Sequence, residues 1–238
     1  MTSPFGGAQA SAVIVSDADR ARIGEFVRGV FRWMCGGLLI TAVVAFAVAS
    51  SPDAVKMLVT NPLLFYGAII GELGLVWYLS SRVSTMAPST AAALFIAYAA
   101  LNGVTFSLIL LAYTGASVAN AFFVAAGMFG AMAVYGQATK RDLSAMGAFM
   151  FMGLVGLVLM SIVGIFWHSD ALNFTLGVVG VIVFAGLTAY DMQRLRAMAL
   201  QLGGGSATGS YAIAGALSLY LDFVNMFLSL LRLFGRRR

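Results

Sequence analysis

The stretch ALSLYLDFVNMFLSLL, residues 216–231, is an apolar run with a single carboxylate, Asp222, near its middle, and this combination indicates the class of fold. With the residues before it, the run extends over 211–231, and a membrane-spanning helix needs about 20 mostly apolar residues. A carboxylate deep in hydrocarbon costs on the order of 3 kcal/mol on insertion scales. We therefore predict a spanning segment whose Asp222 faces other helices or a water-filled cavity.

The composition of the whole chain agrees with a membrane protein. Of its 238 residues, 61% are hydrophobic and only 10% are charged, whereas soluble domains carry about 25% charged residues. The mean hydropathy is +0.95. The single cysteine, Cys35, excludes an intrachain disulfide. The expected fold class is an all-α integral membrane protein.

Seven segments are long and apolar enough to span a bilayer, and breaks rich in Pro, Gly, Asn and charge separate them. We expect one seven-helix membrane domain over residues 28–238, preceded by a flexible cytoplasmic tail over residues 1–27, and a flexible connection within RLRAMALQLGGGSATGS, residues 194–210. The predicted spans are 31–50, 63–81, 90–112, 119–138, 145–167, 172–190 and 211–231.

The basic residues near the span ends predict the orientation. Cytoplasmic loops carry an excess of Lys and Arg, and here one side of the membrane has only Lys56. The other side has Arg20, Arg22, Arg28, Arg32, Arg82, Lys140, Arg141, Arg194 and Arg196. This places the N-terminus in the cytoplasm. The arginines after residue 231 disagree, so the seventh segment either crosses fully against this bias or is re-entrant.

Two helical stripes of small and polar residues each include a carboxylate. One contains Ser218, Asp222, Asn225 and Ser229, and the other contains Gly177, Gly180, Phe184, Thr188 and Asp191. Residues three and four apart share one helix face, and small residues allow membrane helices to approach closely. We expect the two stripes to pack together and bring the two carboxylates near each other.

The other charged and titratable residues leave more than one interpretation open. Asp191 either belongs to this pair or pairs with Arg194 at the interface, and Arg82 is either functional or a cytoplasmic anchor. Glu72, in the middle of the second span, is either a pore residue or a protonated structural hydrogen-bonder. The only histidine, His168, is expected to be solvated in an outer loop.

Motifs of common membrane enzymes are missing. There is no HExxH zinc motif and no CxxC pair, and no histidine lies within a span to complete a serine protease triad. Two aspartates on neighbouring helices suggest an intramembrane aspartyl protease, but that family has GxGD where this chain has LYLD, residues 219–222. We therefore expect no enzymatic activity.

Three stretches resemble the Bax inhibitor family, the transmembrane Bax inhibitor motif proteins, in their bacterial form. They are FAGLTAYDMQRLR at 184–196, GALSLYLDFVNMFLSLLRLFG at 215–235 and NGVTFSLILLAY at 102–113. The similarity extends from Arg28 to Phe234 with the same number and spacing of apolar segments. It implies six helices around a central seventh, and a pH-sensitive calcium leak in the bacterial inner membrane.

The resemblance also implies roles for particular residues. Asp191 and Asp222 match the family's paired aspartates, which act as its pH sensor. Arg82 corresponds to the arginine that latches onto this pair, and Glu72 to the pore glutamate. The chain departs from the common family pattern at Met192, where Thr is usual, and at Val224, where Ile is usual.

These observations lead to one hypothesis and two alternatives. Close carboxylates share a proton, Arg82 holds the closed state, and Asp191 and Asp222 contact Ca²⁺ along a cation pathway that includes Glu72 and Asn225. No cofactor is expected, Ca²⁺ being the transported ion; the expected partners are membrane lipid, protons and other membrane proteins, and no nucleic acid. The alternatives are a proton-coupled cation transporter and a non-transporting scaffold that binds a membrane protease or another membrane protein.

Overall fold

The computed structural model describes residues 16–83, 85–167, 169–202 and 207–238, and these residues form helices joined by short connections. All but α2 are long and apolar enough to cross a membrane, as predicted. In chain order the helices are α1 (Asp17–Ala49), α2 (Pro52–Thr60), α3 (Pro62–Arg82), α4 (Pro88–Ala112), α5 (Gly115–Ala138), α6 (Ser144–Phe166), α7 (Asp170–Gln201) and α8 (Ala207–Phe234).

The first helix begins earlier than the sequence analysis predicts. Ser16 caps it: the Ser16 side chain accepts a hydrogen bond from the Asp19 backbone N–H at 3.1 Å, and the Asp19 carboxylate accepts one from the Ser16 backbone at 3.2 Å. This reciprocal pair is a capping box. Ile23, Phe26 and Val27 are buried, so the prediction of a flexible tail up to residue 27 is wrong for residues 17–27. The part of that tail before residue 16 lies outside the described residues.

Two predicted connections are also partly helical. The SSPDAVK break contains the short helix α2, which begins with a proline, as α3 and α4 do. Proline suits the first turn because the backbone N–H that it lacks would have no helical partner there. The flexible connection predicted from residue 194 is wrong up to Gln201, where α7 ends. His168 lies outside the described residues, and so do residues 203–206 of that connection.

The last helix is the central one, as the family resemblance implies. In the span of α8, 72% of the residues are buried, against at most 39% in the other spans. It packs against α1, α3, α4, α5 and α7. The most peripheral span is α6, with 6% buried, and it packs chiefly on α7.

The C-terminal segment shows that α8 crosses the whole bundle. The helix continues without interruption to Phe234, and the chain then pairs with the connection between α4 and α5. Thr114 N–H donates to the Arg236 carbonyl, and Arg238 N–H donates to the Ala112 carbonyl, both at 3.0 Å. That connection is at the opposite end of the bundle from the start of α8. The re-entrant alternative is therefore wrong, and the C-terminal arginines lie at the end opposite to the N-terminus of α1.

The predicted stripe of small residues brings α7 and α8 into close contact. A Cβ added at Gly180 would collide with the Ser229 side chain, and one at Gly177 would be 2.6 Å from Leu233 Cγ. Hydrogen atoms at these positions allow the two helix surfaces to interlock. The close approach places the polar stripe of α8 beside the carboxylate end of α7.

Candidate functional site

The two aspartates of the sequence analysis line one cavity between α6, α7 and α8. Its volume is about 500 Å³. Asp191 and Arg194 of α7 border it, and Ser218, Asp222 and Asn225 of α8 border it from the other side. The expected juxtaposition of the two stripes is therefore present.

Asp222 is the most unusual group in this cavity. The residue is only 5% exposed. Its Oδ2 atom is fully buried and has no hydrogen-bond partner among the described residues. Buried polar atoms in proteins almost always have such a partner, because leaving one unpaired costs about 1–3 kcal/mol.

The two carboxylates differ in depth. Asp222 lies about 22 Å along α8 from its start and about 18 Å from its end, at 1.5 Å per residue. Asp191 lies about 15 Å before the end of α7. Asp191 is half-buried, whereas Arg194, three residues further along α7, is exposed. The site therefore leads from an accessible Arg194 and Asp191 to a deeply buried Asp222.

A second cavity continues from the first toward the other end of α8. It has a volume of about 310 Å³ and shares Leu154, Phe184 and Asn225 with the first. Ser229 and Arg232 border its far part. All four members of the α8 polar stripe therefore line one or the other of these two adjoining cavities, which together follow much of the helix.

The structure does not bring Arg82 to the aspartates. Its side chain is exposed at the end of α3. Within the described part of the chain, Arg82 forms no ion pair with either aspartate, and the ion pair found there joins Arg22 to Asp19. Neighbours of Arg82 do border the site, since Ser80 and Val83 line a cleft with Asp191 and Arg194. The prediction that Arg82 latches the pair is not met in this conformation, because Arg194 is the cation beside Asp191.

Glu72 belongs to a separate buried network. Its carboxylate accepts hydrogen bonds from Thr105 Oγ1 at 2.9 Å and from Asn102 Nδ2 at 3.3 Å. Asn102 Oδ1 in turn accepts one from the Tyr220 hydroxyl at 3.0 Å, and this hydroxyl is 2.6 Å from Thr41 Oγ1. The network connects α3, α4 and α1 to the central helix.

The network and the aspartate cavity lie on different faces of α8. Tyr220 and Asp222 are two residues apart, which corresponds to about 200° around a helix. Tyr220 points to α1 and α4, whereas Asp222 borders the cavity beside α6 and α7. Glu72 and the aspartate pair therefore do not line one continuous passage in this conformation, contrary to the predicted pathway.

Several residues that support α7 or belong to the Glu72 network were missed in the sequence analysis. Gln193 holds the α5–α6 connection against α7: its Oε1 accepts from Leu143 N–H and its Nε2 donates to the Arg141 carbonyl, both at 2.8 Å. The sequence offered a means of finding Asn102 and Tyr220, because they lie in two of the stretches that carry the family resemblance. Gln193 also lies in such a stretch, but its partners come from a distant loop that no local pattern reveals.

The oxygen atoms of the cavity do not form a complete metal site. No group of three or more His, Cys, Asp or Glu side chains that could hold a metal is found among the residues described. Ca²⁺ usually takes 6–8 oxygen ligands, and here the side-chain oxygens come from Asp191, Asp222, Asn225, Ser144, Ser218 and Tyr190. Only two of these residues are carboxylates, so the set does not make a dedicated Ca²⁺ cage.

Comparison with known proteins identifies the family. The model of the family Bax1-I, "Inhibitor of apoptosis-promoting Bax1", matches residues 23–238. The inner membrane protein YbhL of Escherichia coli K12 is 47% identical over 221 residues, which cover 92% of this chain and 94% of YbhL. An uncharacterized protein of Deinococcus radiodurans is 43% identical over 91% of this chain and 92% of its own. An uncharacterized membrane protein of Streptococcus pyogenes is 37% identical over 94% of this chain and 97% of its own. The chain belongs to the Bax inhibitor family.

Proposed function

We propose that this protein is a pH-sensitive calcium leak channel of the bacterial inner membrane, gated by a proton that Asp191 and Asp222 share. The observation that carries the proposal is the buried, unpartnered carboxylate of Asp222 in the same cavity as Asp191. Ionisable residues within membrane spans are rare and are usually functional. The relationship to YbhL, named as an inner membrane protein, supports the location, and the basic residues support a cytoplasmic N-terminus.

The gate works through the charge of the cavity. With one shared proton, the pair carries a single negative charge that Arg194 balances. Loss of the proton adds a second negative charge beside the first, and the two repel each other in a poorly solvated site. The repulsion favours a different packing of α7 and α8, and it makes the cavity attractive to a divalent cation.

The central helix is suited to transmit this change. Asp222 and Tyr220 are on one rigid segment, so a shift of α8 at the cavity also moves the hydroxyl that binds Thr41 and Asn102. The described conformation, in which α8 separates Glu72 from the aspartates, is the closed state in this proposal. Arg82, which lies beside the cleft at the end of α3, reaches the pair only after α3 moves.

Calcium flux into proteoliposomes with an internal calcium dye tests the proposal. We expect wild-type flux to change across about pH 6 to 8, and the change to disappear in Asp191→Asn and Asp222→Asn, because neither variant can share a proton between two carboxylates. The flux of Arg194→Ala and of Arg82→Ala shows which of the two arginines holds the closed state. Asp53→Asn, which removes an exposed carboxylate on α2, is the matched control.

Three outcomes would contradict the proposal. Wild-type flux equal to that of empty liposomes would exclude a channel and favour the scaffold, which needs neither aspartate. Flux that requires an opposing proton gradient, and stops when that gradient is removed, would favour the proton-coupled transporter. A normal pH response in both aspartate variants would show that the gate lies elsewhere.

A further inference from the structure

The aspartate cavity is far larger than a calcium ion requires. Its volume of about 500 Å³ compares with about 30 Å³ for a water molecule in the liquid. Its walls are mostly apolar: Phe151, Leu154, Phe184, Leu187 and Tyr190 line it beside the carboxylates. Pockets of this size and lining are typical of sites for small organic ligands.

The cavity also opens sideways toward the membrane. Phe151 lines it and is 60% exposed on the outer surface of the peripheral helix α6. Ala148, one turn earlier on α6, lines it as well and is exposed. A molecule dissolved in the bilayer can therefore enter between α6 and α8 without crossing the helix bundle.

The charged side chains of the cavity favour a positively charged ligand over a neutral or negative one. Asp222 has a buried oxygen without a hydrogen-bond partner, and the other carboxylate, Asp191, is half-buried at the same cavity. The positive group at this cavity is Arg194, which is exposed and next to Asp191. The deep end therefore contains a carboxyl group that no cation of the cavity contacts, and its ionised form is the counter-ion for a bound cation. Aromatic rings such as those of Phe184 and Tyr190 also attract cations through their faces.

We propose that this cavity is a binding site for an apolar organic cation, a quaternary ammonium or phosphonium type of molecule that enters from the lipid. Its positive centre lies near Asp222, and its apolar groups pack against Phe151, Phe184 and Leu187. Such a ligand needs no hydrogen-bond donors, and it brings the apolar surface that the walls require. The site exists whether or not the protein conducts calcium, although a ligand there would block any path that runs past the two aspartates.

Binding of tetraphenylphosphonium to the purified protein in lipid nanodiscs tests the proposal. Tetraphenylborate has the same shape and the opposite charge, and it therefore measures attraction to the apolar walls alone. We expect saturable binding of tetraphenylphosphonium above empty nanodiscs and no saturable binding of tetraphenylborate. Asp222→Asn should lower the affinity for tetraphenylphosphonium by about tenfold or more, because a buried charge pair is lost.

A pair of variants on α6 tests the position of the entrance without touching the carboxylates. Ala148→Trp narrows the opening and should weaken or slow phosphonium binding. Ala145→Trp is the matched control, since Ala145 is exposed on the same helix but is not among the residues that line the cavity. Size-exclusion profiles and melting temperatures check that each variant is folded.

The possible results separate this inference from the proposed function. Equal binding of the two probes, or phosphonium binding that Asp222→Asn leaves unchanged, would overturn the inference and indicate simple partition into apolar space. Phosphonium binding by a protein that conducts no calcium would support the inference and contradict the calcium channel. Calcium flux without saturable phosphonium binding would leave the channel standing and overturn the cation site.

Discussion

At the scale of single residues, two carboxylates of the same bundle have opposite surroundings. Asp222 has a buried oxygen without a partner, whereas Glu72 accepts hydrogen bonds from Thr105 and Asn102. A buried polar group costs free energy when it is unpaired, and removal of one partner from a satisfied pair is costly as well. The first carboxylate therefore reduces the stability of the fold, and the second increases it.

This contrast predicts opposite effects of the same substitution. Asp222→Leu should raise the free energy of unfolding by about 1–3 kcal/mol, because it removes an unpaired buried oxygen. Glu72→Leu should lower it by a similar amount, because Asn102 Nδ2 loses its acceptor. Apparent melting temperatures of the two variants and the wild type in the same detergent measure both changes in stability. A stabilising Glu72→Leu or a destabilising Asp222→Leu would show that these surroundings are wrongly assigned.

At the scale of the helices, packing depends on glycines where backbones meet. A Cβ added at Gly136 of α5 would collide with the Ala189 carbonyl of α7. Ala189 is two residues before Asp191, so this contact fixes the part of α7 that carries the site. Gly130, six residues earlier on α5, has no heavy atom within 4 Å of such a Cβ.

The two glycines form a matched pair for mutagenesis. Gly136→Ala should destabilise the protein by about 1–3 kcal/mol, because a backbone carbonyl cannot move aside as a flexible side chain can. Gly130→Ala should be neutral or stabilise by up to about 1 kcal/mol, because alanine is the better helix former. Thermal unfolding of the two variants measures the difference. Similar melting temperatures would contradict the close α5–α7 contact.

At the scale of the whole molecule, the fold places the start of α1 and the C-terminal residues at opposite ends of the bundle. The helix α1 begins at Asp17, and the C-terminal residues pair with the α4–α5 connection. The four arginines from Arg232 onward therefore lie on the side that the other basic residues avoid. We expect the six earlier spans to determine the orientation against this tail, because the positive-inside bias acts over all short loops.

Single cysteines labelled from one side of the membrane test this topology. In a Cys35→Ser background, a membrane-impermeant maleimide should label Ala18→Cys and Arg238→Cys from opposite sides of oriented vesicles. Both positions are exposed. Labelling of both from the same side would mean that α8 does not cross, and it would restore the re-entrant alternative.

The class of the fold, the seven spans and the two aspartates of the candidate cavity can all be predicted from the amino-acid sequence. Hydrophobic length and the free-energy cost of a carboxylate in hydrocarbon are local properties, so a linear pattern reveals them. The stripes that include Asp191 and Asp222 followed from helical spacing alone, and their contact in the folded chain agrees with it. The start of α1 was also encoded locally, in Ser16 and Asp19, although the sequence analysis passed over this capping box.

The groups that surround that pair depend on how the helices pack, and no sequence pattern reveals them. Arg82 and Arg194 are both exposed basic residues near the ends of spans, and only the rotation of α3 and α7 about their axes shows that Arg194 borders the cavity and Arg82 does not. The Glu72 network joins residues on four helices, and the cavity is an empty space between α6 and α8. Such relations depend on how helices distant in sequence pack together, and helix packing in a bilayer follows side-chain shape, which a hydropathy pattern does not record.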